Sequence, residues 1–526
     1  MPASISLSRL SWSTPEGRSL FSDLNLTFGP VRTGLVGRNG VGKSTLLRLI
    51  SGALRPQSGK LCVEGSLGLL SQTVQVAAGE TVADLFGVDE GLALLRRAEE
   101  GRATIDELAV ADWTLETRMA EAMARVGLDA SPKTRLAFLS GGQMTRIKLA
   151  ALVFNGPDFI LLDEPTNNLD REGRAAVAAL MAGWRGGAIV VSHDRELLDE
   201  MDAIVELTAI SATTYGGNWS HYRERKAIEL SSARHDLADA ERRLLELERK
   251  TQEMAERKAR KDAAGRRKRA KGDAPLLLLD AKKERSEKTG GDNARLAERR
   301  RDQAIGDLIE ARGRIEILQP LTVRLPPTGL PAGRSVLQVD DVSVGYDPGT
   351  PILDCLTLSI VGPERVALTG RNGSGKTTFL SLLTGKLKPW SGSIRVQVDH
   401  AMLDQQVSLL DPALSIRDNF RRLNPDAKEN ACRAALARFM FRADAALQIA
   451  GSLSGGQMLR AGLACVLGGN SPPQFLILDE PTNHLDVESI DAVEAGLSAY
   501  DGALLVVSHD RAFLEAIGIT RRVELS

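Results

Sequence analysis

The sequence predicts an α/β protein in which one domain occurs twice and a long, charged helical hairpin joins the two copies. Four motifs in the first half of the chain return in the same order in the second half. Apolar β-branched runs alternate with amphipathic stretches in both copies. Between them, leucines recur at heptad spacing on a charged background. We therefore expect domains at residues 1–220 and 321–526, with a linker at 221–320.

The repeat rests on four motif pairs, each present once in each copy. They are GRNGVGKST at 37–45 with GRNGSGKTT at 370–378, LSGGQM at 139–144 and 453–458, FILLDEPTNNLD at 159–170 with FLILDEPTNHLD at 475–486, and VVSHDR at 190–195 and 506–511. The offset is 333 residues for the first pair and 314 to 316 for the others. The first copy therefore carries about 19 extra residues. We expect them to be helical, as a longer helical subdomain or as a short contact arm.

The linker reads as two long helices that pack along a narrow seam. The residues at heptad spacing are Leu230, Leu237 and Leu244 on the way out and Leu308 and Ile315 on the way back. The residues that break the pattern, and so predict the turn, are Gly272, Pro275, Gly290 and Gly291. An arm of about 40 residues would reach roughly 60 Å at 1.5 Å per residue. Such a length exceeds what a domain core needs, so the hairpin is predicted to be a spacer or probe.

Charge is strongly segregated along the chain. The net charge is only −1, but residues 257–301 contain 17 Lys and Arg against 7 Asp and Glu. A basic segment on an acidic body is typical of proteins that bind nucleic acid. The alternative is a solvated charged helix. The tetrad Leu276–Leu279 either forms a tip that contacts a partner or packs between the two arms.

Composition indicates a soluble globular chain, with 43% hydrophobic and 26% charged residues. We find no run of 18 apolar residues and no secretory signal, so we expect a cytoplasmic protein. Four scattered cysteines have no metal-binding spacing and are expected to be reduced.

Two glycine-rich loops carry the clearest chemistry. Each matches G-x4-G-K-[ST], follows an apolar strand and precedes a leucine-rich helix. In such a loop backbone N–H groups surround phosphate oxygens, the lysine reaches the outer phosphates and the hydroxyl of Ser44 or Thr377 ligates Mg²⁺. The predicted nucleotide-binding residues are Gly37, Arg38, Asn39, Gly40, Val41, Gly42, Lys43, Ser44 and Thr45, with Gly370, Arg371, Asn372, Gly373, Ser374, Gly375, Lys376, Thr377 and Thr378 in the second copy.

Each copy also has an apolar strand that ends in Asp-Glu, where α/β sheets place ligands. We expect Asp163 and Asp479 to hold Mg²⁺, and Glu164 and Glu480 to orient or deprotonate the attacking water. Acidic strand caps are the alternative.

Three further polar motifs recur in each copy. His193 and His509 follow apolar strands and are predicted to contact the γ-phosphate, the alternative being a structural role. Gln72 and Gln405 could sense Mg²⁺ and water, although glutamine is common at strand ends. In LSGGQ, the residues Ser140, Gly141, Gly142 and Gln143, and Ser454, Gly455, Gly456 and Gln457, open a helix and form a second anion-binding nest.

This ordered set of motifs resembles the nucleotide-binding domain of the ABC superfamily. Two such domains without membrane spans, joined by a charged helical linker, resemble the ABC-F family of translation-associated ATPases. The resemblance covers about 400 of the 526 residues. It implies a Mg-dependent ATPase in which each ATP lies between the P-loop of one copy and the LSGGQ of the other, within one monomeric chain.

Under this resemblance one site combines Gly37–Thr45, Gln72, Asp163, Glu164 and His193 with Ser454 and Gly456. The other combines Gly370–Thr378, Gln405, Asp479, Glu480 and His509 with Ser140 and Gly142. Asp170 and Asp486 would lie at the interface. Tyr346, 30 residues before Lys376, is the candidate for adenine stacking, and Trp12 is a weaker equivalent in the first copy.

The resemblance further implies that the hairpin binds the ribosome near tRNA, through ribosomal RNA or tRNA itself. The extra segment of the first copy would then be either a ribosome-contacting arm or a helical subdomain. Two alternatives use the same domains: the ATPase pair of a transporter with a separate membrane subunit, and a DNA-associated ATPase. The second is less expected because only about 15 residues follow the last motif.

Overall fold

The computed structural model describes residues 3–70, 79–167, 169–208, 211–270, 299, 302–308, 325–347, 349–483 and 485–525. The chain forms two compact units. Both copies of the repeat belong to the first, Met1–Ser220 with Leu321–Ser526, and the second is His221–Pro320.

The first copy is built on two sheets. Its strands are β1 (Ser4–Ser13), β2 (Ser19–Phe28), β3 (Arg32–Val36), β4 (Ser58–Glu64), β5 (Leu67–Leu70), β6 (Phe159–Asp163), β7 (Gly187–Val191), β8 (Ala203–Leu207) and β9 (Ala212–Gly216). The larger sheet has the order β5-β6-β7-β3-β8-β9, in which only the β8–β9 pair is antiparallel. The smaller sheet, β2-β1-β4, is antiparallel.

The helices of the first copy lie between these strands. They are α1 (Lys43–Ile50), α2 (Val82–Phe86), α3 (Asp89–Glu99), α4 (Ile105–Val110), α5 (Leu115–Arg125), α6 (Gly141–Phe154), α7 (Arg171–Gly183) and α8 (Arg195–Asp199). As predicted, the extra residues of this copy are helical. Leu92 and Leu95 of α3 and Leu115 of α5 are buried, whereas α4 has no buried residue. Helix α3 is therefore part of a packed helical subdomain.

The linker begins with one long helix, α9 (Trp219–Ala270), of 52 residues. Residues 302–308 are also helical. Leu308 and Ala240 are buried together, with Leu237 and Leu244 packed against them, while Gln303 and Ala304 line a groove with Leu247 and Lys250. Residue numbers rise along one arm where they fall along the other, so the two arms are antiparallel, in agreement with the predicted turn between them. Ile315, the predicted turn residues and Leu276–Leu279 lie outside the described residues.

The second copy repeats the architecture of the first. Its strands are β10 (Ser335–Val344), β11 (Leu353–Val361), β12 (Arg365–Gly370), β13 (Ser391–Val396), β14 (His400–Leu403), β15 (Phe475–Asp479), β16 (Ala503–Val507) and β17 (Arg521–Leu525). The order β14-β15-β16-β12-β17 is parallel throughout, and β11-β10-β13 is antiparallel. The helices are α10 (Lys376–Leu383), α11 (Ile416–Leu423), α12 (Glu429–Arg438), α13 (Gly455–Leu467), α14 (Val487–Ser498) and α15 (Arg511–Ala516).

The central strands explain where the motifs meet. Strands β7 and β16 are buried along their whole length and consist mostly of β-branched and other apolar residues, as parallel strands covered on both faces require. In each copy the strand before the P-loop, the strand before Asp-Glu and the strand before the histidine are neighbours. Their carboxyl ends share one sheet edge, so the three motifs converge there. The predicted fold class is confirmed.

Among the described residues, no helix is long and apolar enough to cross a membrane.

Candidate active site

The glycines of the P-loops are required by the backbone. Gly37 has φ +148°, and a Cβ there would lie 2.2 Å from the carbonyl oxygen of Leu207. Gly370 has φ +152°, and its Cβ would lie 2.6 Å from the carbonyl oxygen of Leu525. A side chain at either position would therefore push the loop off the last residue of a neighbouring strand.

The P-loop lysines lie over their own loops. Lys43 Nζ donates to the carbonyl oxygens of Gly37 at 2.6 Å and Arg38 at 3.2 Å. Lys376 Nζ donates to those of Gly370 at 2.6 Å and Arg371 at 3.1 Å. Burial lowers the pKa of both lysines, and the nearby carboxylates oppose this shift. Each copy thus holds a positive charge against a ring of backbone groups, as phosphate binding requires.

Hard oxygen ligands converge beside the first loop. Ser44 Oγ donates to Asp163 Oδ1 at 3.1 Å. Burial raises the pKa of Asp163 and of Asp479, which is its equivalent in the second copy. The carboxylate of Asp404 raises the pKa of Asp479 further. Buried carboxylates with a neighbouring hydroxyl fit Mg²⁺, which prefers oxygen ligands and offsets their charge. Thr377 holds the position of Ser44 on α10.

Glu164 and Glu480 adopt a backbone conformation that residues other than glycine rarely take. Their φ angles are +52° and +45°, and their N–H groups donate to the carbonyl oxygens of Val191 at 2.9 Å and Val507 at 2.8 Å. These bonds to β7 and β16, the strands that precede His193 and His509, hold each glutamate in a strained conformation, which is typical of functional sites.

Each glutamate lies against the histidine of its own copy. His193 Nε2 is 3.2 Å from Glu164 Oε1, and His509 Nε2 is 3.5 Å from Glu480 Oε1. Burial raises the pKa of Glu164, and it raises that of Glu480 to about 7. Burial and the lysine charge lower the pKa of His193, and with Arg174 they lower that of His509 to about 4. Both imidazoles are therefore neutral near pH 7.

The two copies contact each other reciprocally at these sites. Asp486 Oδ2 accepts a hydrogen bond from the backbone N–H of Asn39 at 2.7 Å, and Asp170 accepts one from the backbone N–H of Asn372. Two ion pairs flank these bonds, Arg38 Nε to Glu488 Oε2 at 2.9 Å and Arg371 Nη2 to Glu172 Oε2 at 3.6 Å. Each P-loop is thus joined to the segment that follows Asp-Glu in the other copy. We name the two composite sites the Lys43 site and the Lys376 site.

The LSGGQ residues cap their own helices. Ser140 accepts from the N–H of Gln143, whose Oε1 accepts from the Ser140 N–H at 2.9 Å. Ser454 and Gln457 repeat this capping box, with the Ser454 N–H donating at 3.0 Å. Both helix starts are exposed. The hydrogen bonds recorded for these serines lie within their helices, so the predicted contact with an opposing nucleotide stays a prediction.

Helix α13, which begins in the LSGGQ motif of the second copy, lies near the P-loop of the first. Arg460 of α13 lies close enough to Arg38 and Asp486 for their charges to shift its pKa, although burial is the larger cause and lowers it. Gly456 permits the approach of α13 to α14, because a Cβ there would lie 2.6 Å from Ser489 Oγ. In the first copy, burial would raise the pKa of Asp170, but hydrogen bonds from Gly173 and Asn372 and the charge of Arg146 of α6 lower it.

The predicted roles of the two glutamines and of the adenine-stacking aromatic residues stay predictions. Gln405 is exposed in the turn after β14, and Gln72 lies outside the described residues. Tyr346 is 63% exposed after β10. Trp12 is half-buried against the core of the first copy, as part of β1.

Two functional candidates were missed by sequence reasoning. Arg174 of α7 lines a small cavity with Glu164, His193 and Thr482, and its Nη1 is 3.5 Å from Asp194 Oδ2. Arg195 forms ion pairs across the interface. The signal for Arg174 was its difference from Ile490, the residue at the same place in the second copy.

Comparison with known proteins agrees with this geometry. The ABC transporter family model matches residues 21–167 and 353–483. The tylosin resistance ATP-binding protein TlrC of Streptomyces fradiae is 31% identical, covering 94% of this chain and 93% of that protein. The energy-dependent translational throttle protein EttA of Mycobacterium tuberculosis is 32% identical, covering 94% of this chain and 87% of that protein.

A solved structure shares the fold. The archaeal ribosome recycling factor aABCE1, in complex with a ribosomal stalk protein, superposes with a TM-score of 0.57 at 17% identity, over 99% of this chain and 87% of that chain. Tandem ATP-binding cassettes on one chain account for the family match, the full-length relatives and this similarity of fold. The chain belongs to the ABC-F family of ATP-binding cassette proteins, whose domains bind and hydrolyse ATP.

Proposed function

We propose that the protein hydrolyses two Mg-ATP molecules between its two ABC domains and uses this cycle to bind and release the ribosome. The domains are residues 1–220 and 321–526, and the linker is 221–320. The reciprocal bonds from Asn39 to Asp486 and from Asn372 to Asp170 carry the proposal. They support a head-to-tail pairing in which a nucleotide on either P-loop also faces the other copy.

Within each site, the chain's own groups divide the work. The P-loop amides and Lys43 or Lys376 bind the phosphates. Ser44 with Asp163, and Thr377 with Asp479, would hold Mg²⁺, together with Gln72 and Gln405. Bound there, Mg²⁺ would offset the charge on the transferred phosphate. Ser454 and Gly456, and Ser140 and Gly142, would complete each site from the opposite copy.

A glutamate that acts as the general base must accept a proton from the attacking water in a site shielded from solvent. Glu164 and Glu480 are deeply buried, and burial raises the pKa of each toward neutrality. A general base with a pKa near the working pH transfers protons efficiently. His193 and His509 are neutral. Each can therefore donate one ring N–H to a γ-phosphate without placing a second positive charge beside the P-loop lysine. Tyr346 would stack on the adenine of the Lys376 site.

The linker is proposed to bind ribosomal RNA or tRNA. Residues 257–301 have an excess of ten positive charges, 17 basic against 7 acidic. RNA is recognised largely through its phosphates and shape, which suits a basic helix. A relative that matches 94% of this chain is named a translational throttle protein. We therefore place the protein in the cytoplasm, acting as one chain that pairs its own domains.

The test uses sedimentation with ribosomes. The Glu164→Gln, Glu480→Gln double variant should be trapped in an ATP-bound form and co-sediment with ribosomes when ATP is present. Changing Arg266, Arg267, Lys268 and Arg269 to Glu in that background should weaken co-sedimentation and make the residual binding less dependent on salt. The matched control reverses four other linker charges, Arg242, Arg243, Arg249 and Lys250, and should lose less. Undiminished ATP turnover in the double variant would contradict the assigned base, and membrane rather than ribosome association would contradict the proposed partner.

A further inference from the structure

The interface between the two copies is asymmetric beside the segments that follow His193 and His509. Arg195, two residues after His193, begins helix α8. Its Nη1 donates to Glu494 Oε1 at 2.8 Å and its Nη2 to Asp491 Oδ1 at 3.0 Å. Both carboxylates belong to α14 of the second copy. The side chains of Arg195 and Glu494 are each 13% exposed, so this ion cluster is largely shielded from solvent.

Within the part of the chain that the structure describes, the equivalent arginine of the second copy forms no ion pair with α7. Arg511 occupies the same place in the SHDR motif, but its Nε donates to Glu515 Oε1 of its own helix at 2.9 Å. Its side chain is 64% exposed. In α7, the positions equivalent to Asp491 and Glu494 are Ala175 and Ala178, which carry no charge. The cluster therefore exists on one side of the interface.

Opening the interface would separate groups that are matched in charge and geometry. Burial opposes the charge on Arg195, yet Glu494 and Asp491 outweigh it and keep the pKa of the guanidinium above its usual value. Among the described residues, the Nε of Arg195 is buried without a hydrogen-bond partner. The guanidinium donates to these two carboxylates across the interface in the forked geometry that arginine favours, and the charge of Asp510, also in the second copy, adds to their effect on its pKa.

The cluster is tied to one nucleotide site. Arg195 follows His193, which contacts Glu164. Helix α14 begins immediately after Asp486, which accepts a hydrogen bond from Asn39 in the loop around Lys43. The two halves of the Lys43 site are therefore joined by ion pairs whose equivalent positions in α7 are Ala175 and Ala178.

We propose that Arg195 is a positioning residue that keeps the Lys43 site closed longer than the Lys376 site, so that nucleotide leaves the two sites in a fixed order. This rests on the proposed pairing of the domains around two nucleotides. Arg195 contacts no reacting atom in this proposal, and it acts through α14 and Asp486.

The test measures nucleotide release from each site separately. Full-length protein carrying Glu164→Gln and Glu480→Gln is loaded with Mg²⁺ and the fluorescent analogue mant-ATP, which is then chased with excess ATP. Adding Lys376→Ala restricts binding to the Lys43 site, and Lys43→Ala restricts it to the Lys376 site. Arg195→Ala should accelerate release about tenfold or more in the first background, since tenfold corresponds to roughly 1.4 kcal/mol, and less than twofold in the second.

Matched variants separate the proposal from a general loss of structure. Arg511→Ala should leave release unchanged in both backgrounds. Arg195→Lys should recover part of the retention, because lysine can keep one ion pair. Glu494→Gln should reproduce the acceleration while conserving shape, which keeps the proposal testable even if Arg195→Ala folds poorly.

Two results would overturn the proposal. Equal acceleration of both sites by Arg195→Ala would show a general loosening, and an effect of Arg511→Ala equal to that of Arg195→Ala would remove the asymmetry. A failure of the proposed sites themselves is recognised differently: mant-ATP would still bind when Lys43 and Lys376 are both replaced by alanine.

Discussion

Replacing Asp486 with asparagine should weaken closure of the Lys43 site without damaging the second copy. Asp486 Oδ2 accepts from the N–H of Asn39 at 2.7 Å and its Oδ1 from the N–H of Ser489 at 2.8 Å. The first bond joins the copies, and the second caps α14. Asparagine has one carbonyl oxygen, and its NH₂ group would face an N–H donor. Since asparagine caps helices about as well as aspartate, the bond to Asn39 is the one expected to be lost.

The size of the effect follows from the charge of Asp486. Burial alone would raise its pKa, but the hydrogen bonds from Ser489 and Asn39 outweigh burial and the pKa lies below its usual value. The carboxylate is therefore ionised at neutral pH. A hydrogen bond to a charged group contributes roughly 1.5–3 kcal/mol. At roughly 1.4 kcal/mol per tenfold, the ATP concentration needed for half-closure should rise between about 10-fold and about 150-fold.

Closure can be followed by energy transfer between the copies. Cys62 in the first copy and Cys355 in the second are exposed free thiols, whereas Cys432 and Cys465 are buried. A donor and an acceptor dye on the exposed pair would report ATP-dependent closure in the background with both catalytic glutamates replaced by glutamine.

Two controls bracket this result. Ser415→Ala removes a cap of α11 within the second copy, so it should lower stability by about 1 kcal/mol without changing the closure midpoint. Asp170→Asn removes the reciprocal bond and should weaken the Lys376 site instead. The reasoning is refuted if Asp486→Asn closes at the same ATP concentration as its parent, or if Ser415→Ala shifts the midpoint equally.

Two further predictions concern a glycine and a histidine. Gly37→Ala should reduce mant-ATP affinity at the Lys43 site more than tenfold, since its Cβ would lie 2.2 Å from the Leu207 carbonyl oxygen; Gly52→Ala, also at positive φ but with nothing within 4 Å, should not. Burial, with the charge of Lys376, lowers the pKa of His509 from 6.5 to about 4. Between these values the unfolded chain binds a proton that the folded chain does not, so this histidine makes stability rise with pH. At pH 5 the lowered pKa of His509 reduces the free energy of unfolding by about 2 kcal/mol relative to pH 7. His509→Gln, measured by thermal unfolding in EDTA, should therefore lose about 4–8 °C less than the parent between pH 7 and pH 5, and an unchanged difference would contradict the assignment.

The motif loops could be predicted from sequence because their chemistry is local. A strand, a glycine turn and a lysine that starts a helix are adjacent in the chain, so the positions of Lys43 and Lys376 follow directly. Arg195 could not be distinguished in this way, because VVSHDR is identical in both copies. Its role depends on whether the facing helix presents Asp491 and Glu494 or two alanines. That choice is visible only once the placement of one copy against the other is known.

In the linker, too, the packing of the heptad residues was predicted, whereas the length of the first helix was not. Leu237, Leu244 and Leu308 were predicted to pack, because a heptad repeat specifies a seam whatever surrounds it. The outgoing helix is longer than expected and passes through Gly265 to Ala270. A single glycine costs only about 1 kcal/mol in a helix, so neighbouring helix-forming residues can continue through it.

The start of this long helix is tied to the asymmetric side of the interface. Ser220, in the first turn of α9, donates from both its N–H and its hydroxyl to Asp199 Oδ1, each at 2.9 Å. Asp199 ends α8, the short helix that Arg195 begins. A tilt of α8 would therefore move the first turn of α9 with it, so the ion cluster at Arg195 and the first turn of the long helix lie on one hydrogen-bonded path.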